Sequence, residues 1–157
     1  MNEPELAARV RTLVETMYGG YIGGDRDAID ALLDPELTMF DSASAPVILG
    51  MDALNEVRAG RGKAPADGDP TPPRETSLTP DLFTARRVEG VITATWWLRI
   101  DGVHENGDVA VPELVRNSAV LVDSDGPLRI VQIHEDVVQP MGGPVTAGLP
   151  EVAGPTA

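Results

Sequence analysis

Asp41, His134 and Tyr18 are the residues of this chain whose types and positions could carry out catalysis, and Arg58, Arg61, Trp97, Arg116 and Asp136 are those that could hold a substrate. Asp41 closes a strand-like run, LTMFD. A carboxylate at a strand end can act as a general base when burial, or a substrate proton of matching acidity, brings its pKa into working range. With Ser42 and Ser44 following, the same Asp41 also reads as an ordinary turn starter. His134 and Asp136 are two apart on a strand-like run and so share a face. His134 could donate to a developing oxyanion or shuttle a proton near neutral pH, with Asp136 orienting it or serving as a second acid; the alternative is a hydrogen-bonded core histidine. Arg58 and Arg61 share a helical stripe with Leu54 and Val57, where they either clamp a substrate carboxylate or cover apolar surface with their stems. Tyr18 and Tyr21 lie on one helix face, as core or as phenol donors. Trp96 and Trp97 must point to opposite sheet faces, one into the core or pocket wall and one toward an interface. Arg99 shares the Trp97 face, and Arg116 belongs to a neighbouring strand.

The elements that must position these residues follow from periodicity. Leu6, Val10, Leu13, Val14, Met17, Tyr18 and Tyr21 recur at spacings of three and four, which predicts an amphipathic helix that Pro4 opens and Gly19-Gly20 weakens. A shorter helix follows from Asp25 as N-cap, with Ala28, Ile29, Leu32 and Leu33 as its apolar stripe, ended by Asp34-Pro35. Leu37 to Asp41 is a strand, and a helix opens at Gly50–Asp52. Residues 62–73 are a proline-rich loop. Strands are predicted over Phe83–Val88, Val91–Ile100, Leu114–Val122 and Leu128–Val138, with hairpin signals at Glu89-Gly90 and Asp123-Ser124-Asp125-Gly126. In the last strand Leu128, Ile130, Gln132, His134 and Asp136 share one face, while Arg129, Val131, Ile133, Glu135 and Val137 share the other. Helices first and consecutive antiparallel strands after them imply an α+β layer fold, a curved sheet against N-terminal helices with a cone-shaped cavity between.

The length of 157 residues suits one domain, taken as residues 1–138, with a Pro/Gly-rich flexible tail over 139–157. Lys+Arg 12 against Asp+Glu 25 gives a net charge of −13, which repels phosphate backbones and anionic lipid and so argues against nucleic-acid and membrane partners. No apolar run reaches the length of a membrane helix and the N-terminus lacks a secretory pattern, so a cytoplasmic location is expected. Cysteine is absent, which removes thiol chemistry. The two histidines, His104 and His134, lie on different elements, no acidic pair has ligand spacing, and no phosphate-binding glycine loop follows a strand. The expectation is therefore chemistry without a metal or cofactor on a small-molecule ligand.

The order helix–helix–strand–helix–strands, with YIGGDRDAIDALLDPELTMFD and later GPLRIVQIHED, resembles the NTF2-like superfamily in its SnoaL-like branch, over roughly residues 5–138. The resemblance implies a cone-shaped α+β fold, and either a cofactor-independent isomerase, cyclase, dehydratase or hydrolase or a non-catalytic binding domain. It also implies, by alignment with the ketosteroid isomerases, that Asp41 is the general base; the oxyanion tyrosine falls at Met17, one residue before Tyr18, and its acidic partner falls near Asn117-Ser118. His134 matches a histidine frequent in the last strand of SnoaL-like proteins. A narrower resemblance, to small members associated with cyanurate and oxalurate breakdown, rests on Val57-Arg58, Arg61, Arg116-Asn117-Ser118, Ile130-Val131 and His134. Taken together these readings place Asp41, Arg58 and His134 around one cavity. They also make Val131, Ile133 and Val137 an outward apolar patch through which a homodimer forms.

Overall fold

The computed structural model describes residues 2–44, 46–61, 65–138 and 152–153. Helix α1, Glu3–Gly23, begins with a reciprocal cap: the Asn2 side chain accepts from the Glu5 amide at 2.9 Å, and the Asn2 amide donates to the Glu5 carboxylate at 3.2 Å. Its predicted stripe, from Leu6 to Tyr18, is buried. The helix runs through Gly19-Gly20 and stops at Gly24, whose φ of 72° is the left-handed cap that glycine adopts without strain. Gly20 is needed for another reason, since a Cβ there would lie 3.0 Å from the Asp25 carbonyl oxygen. Helix α2, Arg26–Asp30, is short, and Asp25 caps it by accepting from the Ala28 amide at 3.1 Å. Leu33, expected on its stripe, instead opens a strand.

The strands are β1 (Leu33–Phe40), β2 (Val47–Leu49), β3 (Arg74–Val88), β4 (Val91–Val103), β5 (Glu113–Val122), β6 (Arg129–Val137) and β7 (Val152–Ala153), with helix α3, Gly50–Arg61, between β2 and β3. They form one mixed sheet in the order β3-β4-β5-β6-β1-β2-β7. From β3 to β6 the strands pair antiparallel in sequence order, as predicted. The order then departs from expectation, because β1 lies parallel to β6. The three-residue β2 was too short to read, and it pairs antiparallel with β1. Most of the 139–157 tail lies outside the described residues; Val152–Ala153 pair parallel with β2. Among the described residues no helix is long and apolar enough to cross a membrane.

Helix α1 packs along β3 and across one sheet face, and the core lies between them. Rows of cross-strand neighbours show which side is inner. Ile92–Leu121–Ile130–Leu33 and Ala94–Ala119–Ile133–Met39 are buried rows. Ile133 is 0% exposed, so Val131, Ile133 and Val137 do not make an outward patch, and the expected dimer surface is not on that face. The reason is a bulge. Val120 pairs with Gln132 while Leu121 pairs with Ile130, leaving Val131 as an extra residue, so the inner side holds Ile130 before it and Ile133 after it.

Candidate functional site

The next inner row toward the carboxyl end of β6 breaks the apolar pattern: Trp96, Asn117 and Glu135 are cross-strand neighbours. On the far side of Glu135, Phe40 pairs with His134, so Asp41 returns to the inner side. Asp41 is nearly covered, its side chain 11% exposed, and it is committed twice. One carboxylate oxygen accepts from the Ala43 amide at 2.8 Å, the turn role legible in the sequence, and the same oxygen pairs with Arg61 at 2.6 Å. Arg61 closes α3 and keeps its guanidinium over the end of β1.

Glu135 has the more perturbed chemistry. Burial, then the negative charge of Asp41, push its carboxyl up to about 7, against a smaller opposing pull from Arg61. Two carboxylates thus share one guanidinium, and the one that Arg61 holds leaves the other protonating near neutrality. Tyr18 contributes from α1. Its hydroxyl oxygen accepts from the Trp96 indole N–H at 3.0 Å, which leaves the phenol proton free to donate. Burial and the charge of Glu135 raise the Tyr18 phenol far above its ordinary range, so it is a neutral donor at every working pH. Tyr21, one turn on, is raised to about 12 by burial and by the charge and hydrogen bonding of Glu75; Arg61 and Asp41 also act on it. The group therefore comprises Tyr18, Tyr21, Asp41, Arg61, Glu75 and Glu135, with Asn117 beneath.

The other sequence candidates fall elsewhere. His134 is exposed on the outer sheet face against Phe40, ring centroids 5.3 Å apart. Trp97, Arg116 and Asp136 are cross-strand neighbours on that same face, with Trp97 38% exposed and Arg116 pairing with Asp136 at 2.6 Å. The bulge at Val131 reverses the parity that had placed His134 and Asp136 inside. Arg58 turns away from Asp41 and ties α3 to α2 through Asp30 at 2.8 Å, with Asn55 accepting at 3.1 Å. The structure thus brings Asp41 together with Tyr18 and Arg61, and leaves Arg58 and His134 out of that group.

Glu135 and Asn117 were missed as site residues. The signal was present in Glu135, the one carboxylate alternating with Val131, Ile133 and Val137. Asn117 is 5% exposed; its amide nitrogen donates to the Val115 carbonyl at 3.3 Å, while its side-chain oxygen is buried with no partner. Tyr18 and Trp96 are buried within the interior, and Trp96 stacks on Phe83 with centroids 5.9 Å apart. An open cleft of about 330 Å³ reaches Tyr18 from the flank, lined also by Glu15, Ile22, Thr76 and Leu78. Among the described residues no three His, Asp or Glu side chains are grouped to hold a metal ion.

No family model matches the sequence, and no curated protein matches it. Solved structures do. An NTF2-like protein from Cytophaga hutchinsonii is 11% identical with a TM-score of 0.61, over 88% of this chain and 100% of that one. A ketosteroid isomerase-like protein from Shewanella frigidimarina is 14% identical with a TM-score of 0.58, over 80% and 92%. The CamKII hub homology domain of Chlamydomonas reinhardtii is 18% identical with a TM-score of 0.64, over 85% and 99%. Enzyme-like and hub proteins thus share one architecture with this chain, and at these identities the likeness carries the fold alone. An N-terminal helix packed on a mixed sheet in this strand order, matched over nearly the whole length of these proteins, is the NTF2-like fold.

Proposed function

We propose that this chain is a cofactor-independent enzyme that moves a proton on a small polar substrate, with Glu135 as the carboxylate that takes and returns it. The observation that carries the reading is the placement of Glu135 in the row of Trp96 and Asn117 beside the Asp41–Arg61 pair, where burial and then the Asp41 charge push its carboxyl up to about 7, since a general base works best with its pKa near the working pH. Tyr18 supplies the complementary group: its free phenol proton donates to a carbonyl oxygen as Glu135 removes the adjacent C–H proton, and returning the proton at another carbon completes an isomerisation. Arg61 and Asp41 set the charge around that step. Cyclisation, dehydration and hydrolysis use the same parts, and the ketosteroid isomerase-like neighbour supports the class at the level of fold.

The test is solvent deuterium exchange into a panel of small ketones with acidic C–H groups, followed by NMR. Exchange should rise with pH through about 7 and fall by about a hundredfold or more in Glu135→Gln. Exchange that persists in that variant refutes the assignment.

One observation favours a second reading, a non-catalytic binding module: Tyr18 and Trp96 are buried within the interior, as the aromatics of a module without a reaction chamber would be. Ligand binding with no exchange across the panel selects that reading. In either case we place the chain in the cytoplasm as a homodimer, now through the outer sheet face bearing Phe40 and Trp97. Light scattering should show Trp97→Glu dissociating it; a wild type that is already a monomer refutes the dimer.

A further inference from the structure

A clamp of Arg58 and Arg61 on a substrate carboxylate is one of two readings that the sequence leaves open, and the charges in place argue for a ligand of the opposite sign. Among the described residues, Arg61 is the cation facing this end of the interior, and Asp41 holds it at 2.6 Å. Asp41 and Glu135 act on it, Asp41 also acts on Glu135, and Glu75 reaches Tyr21 nearby. Among the described residues, an entering carboxylate would meet Arg61 already paired with Asp41, and Glu135 beside it. The second observation is independent of charge. Asn117 neighbours Glu135 across β5 and β6 on the inner side, is 95% buried, and leaves its side-chain oxygen without a hydrogen bond. A buried acceptor left unmatched costs about 1–3 kcal/mol. Cross-strand neighbours lie about 5 Å apart at Cβ, so one small group can meet both side chains.

We propose that this site takes a protonated primary amine, its ammonium group set between the Glu135 carboxylate and the Asn117 side-chain oxygen. An ammonium has three donors and no acceptor, which suits two neighbouring acceptors. Tyr18, with Ile22 and Leu78 along the flanking cleft, supplies apolar surface for the carbon part of such a ligand. The net charge of −13 raises the local concentration of cations without selecting among them. The inference rests on the reading of this end as a small-molecule site, and not on Glu135 acting as a base.

The experiment is a calorimetric comparison of benzylamine, benzyl alcohol and benzoate on the full chain at about pH 8 and moderate salt, on wild type, Asn117→Leu and Glu135→Gln. Benzylamine should bind at least tenfold more tightly than benzyl alcohol, and benzoate should not bind. Glu135→Gln should lose about tenfold or more of the benzylamine affinity, and Asn117→Leu several-fold. Equal binding of the three probes overturns the proposal, as does benzylamine binding unchanged in both variants, which would be attraction by net charge only. An unmoved affinity in Asn117→Leu alone overturns the role of that residue, whose oxygen would then be matched by buried water. The wild-type ranking stands on its own should a variant fold poorly. Amine selectivity without deuterium exchange leaves this inference standing and removes the catalytic reading; exchange on ketones with no amine preference does the reverse.

Discussion

The two ends of the barrel-like interior treat their charges in opposite ways. At the end where β5 hands over to β6, arginines and carboxylates are matched: Asp123 accepts from Arg9 at 3.0 Å and from Arg87 at 2.9 and 3.0 Å, and Arg129 is held by Asp34 at 2.7 Å and by Asp125 at 2.6 Å. Hydrogen bonds from these arginines hold Asp34, Asp123 and Asp125 below the usual carboxylate range. At the opposite end, about 20 Å away along β6, Arg61 is the one arginine among the described residues that faces Asp41 and Glu135, Glu75 lies against Tyr21, and Glu135 is pushed up to about 7. The matched end ties a turn, three strands and a helix together. The unmatched end keeps a destabilised carboxylate, and folds retain such groups where chemistry or binding needs them.

The largest test of that contrast is Glu135→Gln, which should abolish proton transfer while improving the fold. The sign follows from linkage. A carboxyl raised from 4.5 to about 7 binds its proton more tightly in the folded state. Its contribution is fully present below the unfolded value and is lost as pH rises through about 7, on the order of 3 kcal/mol at about 1.4 kcal/mol per pH unit. Urea melts at about pH 4 and pH 8 should therefore show wild type losing stability across this window and Glu135→Gln losing much less. A variant that tracks wild type at both pH values would show that Glu135 is not buried against Asp41.

At the matched end, Asp123→Asn removes the charge that pairs with two arginines, so the melting temperature at pH 7 should fall by a few degrees. The pH dependence has the opposite sense to that of Glu135. Lowered carboxylates stabilise above their unfolded range and lose that contribution as pH falls, so the difference between Asp123→Asn and wild type should shrink on acidification. A difference that grows in acid would erase the distinction between the two ends.

The third test reads the unmatched end through Glu135 itself, by carboxyl NMR titration. Asp41→Asn removes the charge that raises Glu135 and should bring it below 7; Arg61→Met removes the charge that opposes and should move it higher. A Glu135 value unmoved in both variants would mean that burial alone sets it.

How much of this was legible in the sequence depended on whether periodicity was interrupted. Helix α1, the β3–β4 and β5–β6 hairpins and the turn at Asp41 follow from uninterrupted patterns and local turn chemistry, and the structure carries them. The side of β6 did not follow. Strict alternation from Leu128 groups Ile130 with Gln132 and His134, and one extra residue at Val131 keeps Ile130 inside but sets Ile133 and Glu135 there in place of Gln132 and His134. The bulge is a property of pairing with β5, which no local pattern in β6 contains. The parallel contact of β1 with β6 is non-local in the same way, and it is what sets Asp41 beside Glu135. Arg58 and Arg61 are three residues apart on one helix, yet Asp30 and Asp41 draw them to different elements.

The smallest expected effect belongs to the outer face, where the sequence had placed part of the site. Arg116 and Asp136 form a short ion pair of 2.6 Å, but their side chains are 56% and 43% exposed, so water competes for both charges and two long side chains lose freedom to meet. Arg116→Ala should cost less than about 0.5 kcal/mol. It should also leave deuterium exchange and benzylamine affinity unchanged, because the sheet itself separates this face from Glu135 and Asn117. Asp136→Asn should behave alike, since nothing on the inner side depends on its charge. A fall in exchange in either variant, with the melting temperature held, would move the chemistry to the His134 face. The charge imbalance at the inner end would then mark a merely tolerated defect, and the contrast between the two ends would lose its functional meaning.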